Sequence, residues 1–462
     1  MEKLFEQSEI YIEHVEGDTL TPISIFQRIT GKKKFLLESS LKNVHSGRYS
    51  FIGTDPVLEL RGLGDINIIT RKNGEESITG NTLDVLKGLL PNLDQYRGNI
   101  PFIGGAVGYV GYDAIRQYEN IGPTPKDEVN MPDIHLLFYE QVIIYDHVDQ
   151  KVCLAATPLL KETTTQDLLE MINKRKQELQ SDSTSENQEK VSLSSFQANT
   201  SKEEFIQNVK IAKEYISNGD IFQVVLSQRM KATISGDPFS LYRKLRITNP
   251  SPYMYFLDFG EYIVTGSSPE SLVRANTSAV TTNPIAGTRP RGKSVFEDEE
   301  LELDLRSDEK ELAEHKMLVD LGRNDLGKIC KFGSVKVHKY IEVEKYKHVM
   351  HLVSEVSGEL AKDKTAADAL VSCLPAGTVS GAPKIRAMEI INELEPVKRG
   401  VYSGAVGYFS TTGTMDFALA IRTMVIKEQT AYIQAGAGIV YDSIPEKEYE
   451  ETIHKLKTFL EE

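Results

Sequence analysis

The chain has no tryptophan and only three cysteines, Cys153, Cys330 and Cys373, in 462 residues. The lack of tryptophan bears on no function. Thiols so few, odd in number and scattered exclude a disulfide frame and a structural zinc site, leaving three reduced, core-type side chains. Also missing is any apolar run near the roughly 18 residues that a bilayer span needs. The start, Met1-Glu2-Lys3-Leu4-Phe5-Glu6, has no long apolar region behind a basic one. The expectation is a cytoplasmic protein without a membrane partner. Positive charge is outweighed, with 53 Lys and Arg against 67 Asp and Glu, a formal net charge of -14. Spread and not blocked, that balance argues against nucleic acid or an anionic membrane as a main partner. A local site for a small anionic substrate stays open.

What is present is the composition of a globular chain, 40% hydrophobic and 26% charged, long enough for a large core in two or three domains or one large mixed one. Residues 1–180 alternate short β-type runs with turns, among them Leu36-Leu37, Tyr49–Gly53 and His135–Tyr139, and end in a helix near 162–180. The polar, Ser-rich stretch 181–201 reads as a linker or surface loop. Residues 202–462 open with an amphipathic helix near 202–218 and a strand near 222–227. Gly105-Ala106-Val107-Gly108-Tyr109 recurs as Gly404-Ala405-Val406-Gly407-Tyr408, two small-residue strands suited to close sheet packing. The pattern predicts large sheets covered by helices.

Two Glu-x-x-Glu pairs, Glu311 with Glu314 and Glu448 with Glu451, fall in helix-like segments far apart in sequence. Four converging carboxylates are how a protein recruits a hard divalent cation such as Mg²⁺. On a helical wheel Glu311 and Glu314 share a stripe with Met317, Leu318 and Leu321, so that helix reads as buried and its carboxylates ask for a compensating charge. The second pair opens a C-terminal helix with a capping-box start at Ser443, Pro445 and Glu446, and with Tyr449, Ile453, Leu456 and Leu460 as its apolar face. Standing alone, it reads sooner as two solvated glutamates favoured near a helix start by its dipole. Arg422 interrupts an apolar strand pattern, asking for an anion or a buried salt bridge. Glu270 stands at a strand start and His351 inside an apolar strand, where a hydrogen-bonded core histidine is the ordinary case. Glycine-rich segments at 375–384, 402–404 and 434–440 read as tight turns or anion nests, and none fits a phosphate loop or a dinucleotide fingerprint. Together these groups suit a small dicarboxylate.

At 283–292, Glu311 to Asp325, Ala376 to Lys384 and Pro445 to Thr452 the chain strongly resembles the chorismate-utilising enzymes, and within them the large subunits (component I) of anthranilate synthases. The resemblance covers nearly the whole chain and implies that family's α+β fold, with large mixed or antiparallel sheets packed together. It implies that Glu314 and Glu451 ligate Mg²⁺ directly, with Glu311 and Glu448 acting directly or through water. The ion would hold the ring carboxylate of chorismate near Gly436 and Gly438. Arg422 and Tyr402 would bind the enolpyruvyl carboxylate, and Gly287, Thr288 and Thr378 would line the pocket. Glu270 would protonate the leaving hydroxyl as ammonia adds, and His351 would serve the loss of pyruvate that yields anthranilate, the first step of tryptophan biosynthesis.

Two positions separate this chain from relatives with other chemistry. Where water-using relatives carry a lysine base stands Gln223, and where aminodeoxychorismate synthases carry a nucleophilic lysine stands Ala286. Leu37-Glu38-Ser39 and Asn249 to Met254 resemble the family's tryptophan-binding elements, so Glu38, Ser39, Asn249, Pro252, Tyr253 and Met254 would form a feedback site in the portion opened by residues 1–180. The catalytic portion would be 202–462. With no Cys-His-Glu glutaminase module in the sequence, glutamine use would need a glutaminase subunit, in a heterotetramer of two chains of each kind. The alternatives are component I of aminodeoxychorismate synthase and a tryptophan sensor that has lost catalysis.

Overall fold

The computed structural model describes residues 10–40, 47–93, 96, 98–181, 190–346 and 349–460. Among these residues the chain builds one sheet of thirteen strands and one of twelve. Every pairing between named strands is antiparallel, as in Gln223–Ser235 against Thr430–Ile439 and Ile285–Pro290 against Val349–Glu359.

Alternation of side chains along the strands produces the layers. In Tyr253–Asp258, Tyr255 and Leu257 point into a core shared by both sheets, with Tyr109 and Tyr408. Met254 and Phe256 point the other way, into a core closed by helices Pro22–Arg28, Thr165–Gln180 and Pro238–Thr248. The far face of the second sheet is closed by Thr82–Leu89, Glu309–Gly327 and Ala366–Cys373. The order is therefore helix, sheet, sheet, helix. Helix starts are local: Thr164, Ser201 and Thr365 each make a reciprocal capping box with the acidic residue three positions on.

The recurring small-residue segments are neighbours in the second sheet, with Gly108 opposite Gly407. A Cβ at either would lie 2.0 Å from the carbonyl oxygen of His135 or Asp416, so glycine is what permits strand contact there. Both sheets take strands from either side of 181–201. Of that stretch, 182–189 lie outside the described residues, while Ser192–Leu193 and Gln197–Ala198 pair with Gln223–Ser235. The described part of the expected loop is thus docked on a sheet edge.

Candidate active site

Among the described residues the chain passes from one sheet to the other six times, and two of these crossings carry residues singled out above. Glu270 lies between Tyr262–Ser268 of the first sheet and Ser271–Ala275 of the second; Arg422 lies between Met415–Leu419 of the second and Thr423–Lys427 of the first. The crossings are tied together, since Leu419 N–H donates to the Glu270 carbonyl at 3.0 Å and Ser267 N–H to that of Arg422 at 3.0 Å. Arg422 does not interrupt a strand as expected. It is the corner itself, with a left-handed φ of 47°.

Burial raises the Glu270 carboxyl to about 7, against the pull of a hydrogen bond from Thr378 and the charge of Lys455. Thr378 Oγ1 donates to Glu270 Oε1 at 2.7 Å. The Arg422 guanidinium is largely desolvated, which lowers its pKa, and among the described residues no ion pair to it is formed. A desolvated cation without a counter-ion is one that an anion would stabilise.

His351, on Val349–Glu359, places Nδ1 2.9 Å from the Gly287 carbonyl and 3.0 Å from Thr288 Oγ1. A carbonyl only accepts, so the proton sits on Nδ1 and Nε2 is left with its lone pair. Burial lowers the ring's pKa, with the nearby Arg422 charge acting in the same direction. Gly287 has φ 69°, and a Cβ there would lie 3.2 Å from Glu311 Oε2, so the backbone turns toward the carboxylate helix.

That helix, Glu309–Gly327, is capped by Asp308 and brings Glu314 Oε1 within 3.1 Å of Gln223 Nε2. Gln223 in turn flanks Gly438. On Thr430–Ile439, pairing with Thr423–Lys427 ends at Ile433, so beyond it one edge of the strand has no partner among the described residues. Gly436 there accepts from Lys455 Nζ at 2.8 Å, and a Cβ on it would lie 2.9 Å from the Tyr402 hydroxyl. Lys455 also pairs with Glu451 at 2.8 Å. Thus Glu270, Thr378, His351, Gly287, Thr288, Tyr402, Arg422, Gly436, Gly438 and the two glutamate pairs are linked through shared neighbours.

The chorismate binding enzyme family matches residues 35–461, which takes in all of these groups. The chain belongs to the chorismate-binding enzymes. Among its relatives, anthranilate synthase component 1 of Acetivibrio thermocellus is 47% identical over 96% of this chain and 93% of its own length. That of Lactococcus lactis is 46% identical over 97% and 98%. The crystal structure of anthranilate synthase component I from Streptococcus pneumoniae superposes with a TM-score of 0.84 at 46% identity, over 96% of this chain and 98% of that one. The menaquinone-specific isochorismate synthase MenF of Escherichia coli, 19% identical with a TM-score of 0.74, shares the fold.

In this chorismate-binding enzyme the Glu311 helix is less enclosed than its stripe implied, while Glu451 is as open as its place off the apolar face suggested. The Glu311 side chain is 26% exposed and that of Glu451 47%. The expected capping box at Ser443 is not formed, because its hydroxyl accepts from Val440 N–H and the helix starts two residues later at Pro445. Leu460's side chain lies outside the described residues. Burial raises Glu311, and repulsion from Glu314 adds to it; burial likewise raises Glu448, with repulsion from Glu451. The Lys310 charge acts on both Glu311 and Glu448, which puts the two carboxylate pairs within electrostatic reach of one another. Among the described residues no three His, Cys, Asp or Glu side chains gather closely enough to hold a metal ion. The donor set is nonetheless hard oxygen, and its self-repulsion is what a divalent cation relieves, so in donor chemistry, though not in spacing, these residues suit a cation such as Mg²⁺.

Two groups of this site escape sequence reading. Lys455 has only its place four residues after Glu451 as a signal, an ordinary helix pair. Gln223 was legible as the absence of a base, not as the partner of Glu314.

A cavity of about 820 Å³ in this enzyme is lined by Leu37, Glu38, Ser39, Pro252, Tyr253 and Met254, with Arg274 and Asp416 opposite. Tyr253 donates to Asp416 at 3.0 Å, and burial raises Asp416 to about 6. Glu38 accepts from Tyr242 and Arg246 at 2.5 and 2.6 Å, yet its Oε2 is buried without a partner among the described residues. Asn249 is not in the lining: it ends helix Pro238–Thr248 and its carbonyl accepts from Ser267. Met254 sends its side chain mainly into the helix-side core.

Proposed function

We propose that this enzyme converts chorismate and ammonia to anthranilate and pyruvate, the activity carried in the name of its anthranilate synthase relatives, as the first step of tryptophan biosynthesis. The observation that carries the reading is Glu270, a desolvated acid raised to about 7 and oriented by Thr378, at a sheet crossing hydrogen-bonded to the one that carries the desolvated Arg422. Arg422 and Tyr402 take the enolpyruvyl carboxylate, while Gly287, Thr288, Gly436 and Gly438 let the ring approach the backbone. Mg²⁺, held by Glu314 and Glu451 with Glu311 and Glu448 acting directly or through water, would neutralise the ring carboxylate. As the new C–N bond forms, the bond to the ring hydroxyl breaks, and Glu270 gives its proton to the departing oxygen, which leaves as water. His351, neutral with Nε2 free of a proton, serves the second step, in which a ring proton is removed, the ring–oxygen bond to the enolpyruvyl group breaks, and that group's methylene takes up a proton to leave as pyruvate.

Ammonia is the nucleophile because Gln223 has no basic nitrogen with which to activate water. Aromatisation follows because Ala286, paired with Leu352, offers no amine for a covalent intermediate, which disfavours the aminodeoxychorismate reading. The name component 1 implies a second component in the relatives; here it would be a glutaminase subunit that supplies ammonia, two chains with two. Tryptophan would occupy the cavity beside Ser39 and Tyr253. Tyr253 pairs with Ser268, two residues before Glu270, so a ligand that shifts this strand reaches the proton donor directly. The purified chain mixed with chorismate, ammonium and Mg²⁺, with and without tryptophan, tests the whole reading. Fluorescent anthranilate with released pyruvate is expected. A non-aromatic amino product would point to the aminodeoxychorismate reaction, and binding of tryptophan without turnover to a sensor.

A further inference from the structure

Behind the site lies a group that the reaction as described does not use. Arg399 is 3% exposed, and Glu395, four residues earlier, is 8% exposed. All five guanidinium N–H groups are engaged. Nε donates to Glu395 Oε2 at 2.8 Å and Nη2 to Glu395 Oε1 at 2.6 Å. Nη2 also donates to the Val225 carbonyl at 2.7 Å, while Nη1 donates to the Val379 carbonyl at 2.7 Å and to Ser403 Oγ at 3.3 Å. Glu395 Oε1 takes two further bonds of 2.8 Å, from the backbone N–H and the hydroxyl of Ser227. The guanidinium carbon stands 4.8 Å from the ring centre of Tyr112 and 5.6 Å from that of Tyr402.

A buried ion pair of this kind is roughly neutral for stability relative to apolar residues of the same size, so its value lies in what it holds. Val379 follows Thr378, whose hydroxyl orients Glu270. Tyr402 carries its hydroxyl to the bare face of Gly436. Val225 and Ser227 belong to the strand opposite Gly436 and Gly438. One guanidinium plane therefore joins the turn, the ring and the strand that wall the site on three sides.

We propose that Arg399, clamped by Glu395, is a positioning residue of the reaction that fixes the Thr378 turn and the Tyr402 ring and thereby places the Glu270 carboxyl. The inference rests on the reading of Glu270 as the proton donor. Lysine cannot replace Arg399, because an ammonium has three donors and no planar fork. In Arg399→Lys the Val379 bond is lost and Thr378 drifts from Glu270. Lys455 then remains the charged group that acts on Glu270.

The test is steady-state turnover of chorismate with saturating ammonium for Arg399→Lys and the same-sized Glu395→Gln, with thermal unfolding alongside. In Arg399→Lys kcat is expected to fall on the order of 100-fold with KM for chorismate nearly unchanged. The alkaline limb of the pH profile moves upward, as loss of the Thr378 donor favours protonated Glu270. Glu395→Gln moves both in the same direction by less, and decides the matter alone if Arg399→Lys does not fold. A lowered unfolding temperature with kcat and the alkaline limb unmoved would make the pair merely structural and overturn the proposal. A Glu270→Gln control separates the two levels. Full activity there removes Glu270 as the donor, whereas loss of activity there with an unaffected Arg399→Lys removes only the role of Arg399.

Discussion

Replacing Thr378 by valine deletes one hydroxyl, keeps the shape of the side chain, and moves a single proton equilibrium. The Thr378 donor sits 2.7 Å from Glu270 Oε1 and pulls its pKa down against burial, which holds it at about 7. Hydrogen bonds to a charged group are worth about 1.5–3 kcal/mol. Part of that is kept when the acid is protonated, because the hydroxyl can then accept. A differential of about 1.4 kcal/mol corresponds to one pH unit, so the alkaline limb of kcat/KM should rise from near neutrality by about one unit. The sign follows from the role: an acid must hold its proton to act, and removing a bond to the carboxylate lets it hold that proton at higher pH. His351 must be neutral, and since burial lowers its pKa the acid limb lies below the ordinary histidine value and stays in place. The assay is initial-rate anthranilate fluorescence over the pH range in which the variant remains folded. An alkaline limb that stays put or moves down would show that Glu270 is not the acid, or that Thr378 does not hold it.

Glu314→Ala or Glu451→Ala should abolish Mg²⁺-dependent turnover while thermal unfolding stays close to wild type, since Glu451 in particular is half exposed; wild-type rates in either would contradict the metal assignment. Ser39→Ala should raise the tryptophan concentration needed for half inhibition by about tenfold, the loss of one hydrogen bond, with little change in uninhibited rate. Unchanged inhibition there would move the effector elsewhere. His351→Met should let the amino intermediate accumulate, visible by chromatography, and a normal yield of anthranilate would take His351 out of the second step.

Much of the site was legible because its signals are local. Glu-x-x-Glu spacing puts both carboxylates of a pair on one side of a helix whatever surrounds it, and the strand around His351 is where alternation put it. The effector segments were legible as segments, yet Asn249 turned out to end a helix and Met254 to face a core. The first depends on where helix Pro238–Thr248 stops, and the second on which way a strand presents its residues, which a single register step decides. Lys455, Arg399 and Glu395 carried no signal beyond helical spacing. In sequence they are a helix-surface lysine and an ordinary i, i+4 pair.

By itself, then, the sequence determined the local caps at Thr164, Ser201 and Thr365, the two carboxylate pairs, the absence of a basic group at Gln223 and Ala286, and the family. Only the tertiary structure decided that Glu270 and Arg422 would sit side by side. They are about 150 residues apart in sequence, and they meet because the chain changes sheets at both places and the two crossings hydrogen-bond to each other. Desolvation comes with that meeting and with nothing earlier. A carboxyl is an ordinary acid until two sheets close over it, and the same closure leaves the arginine in need of an anion.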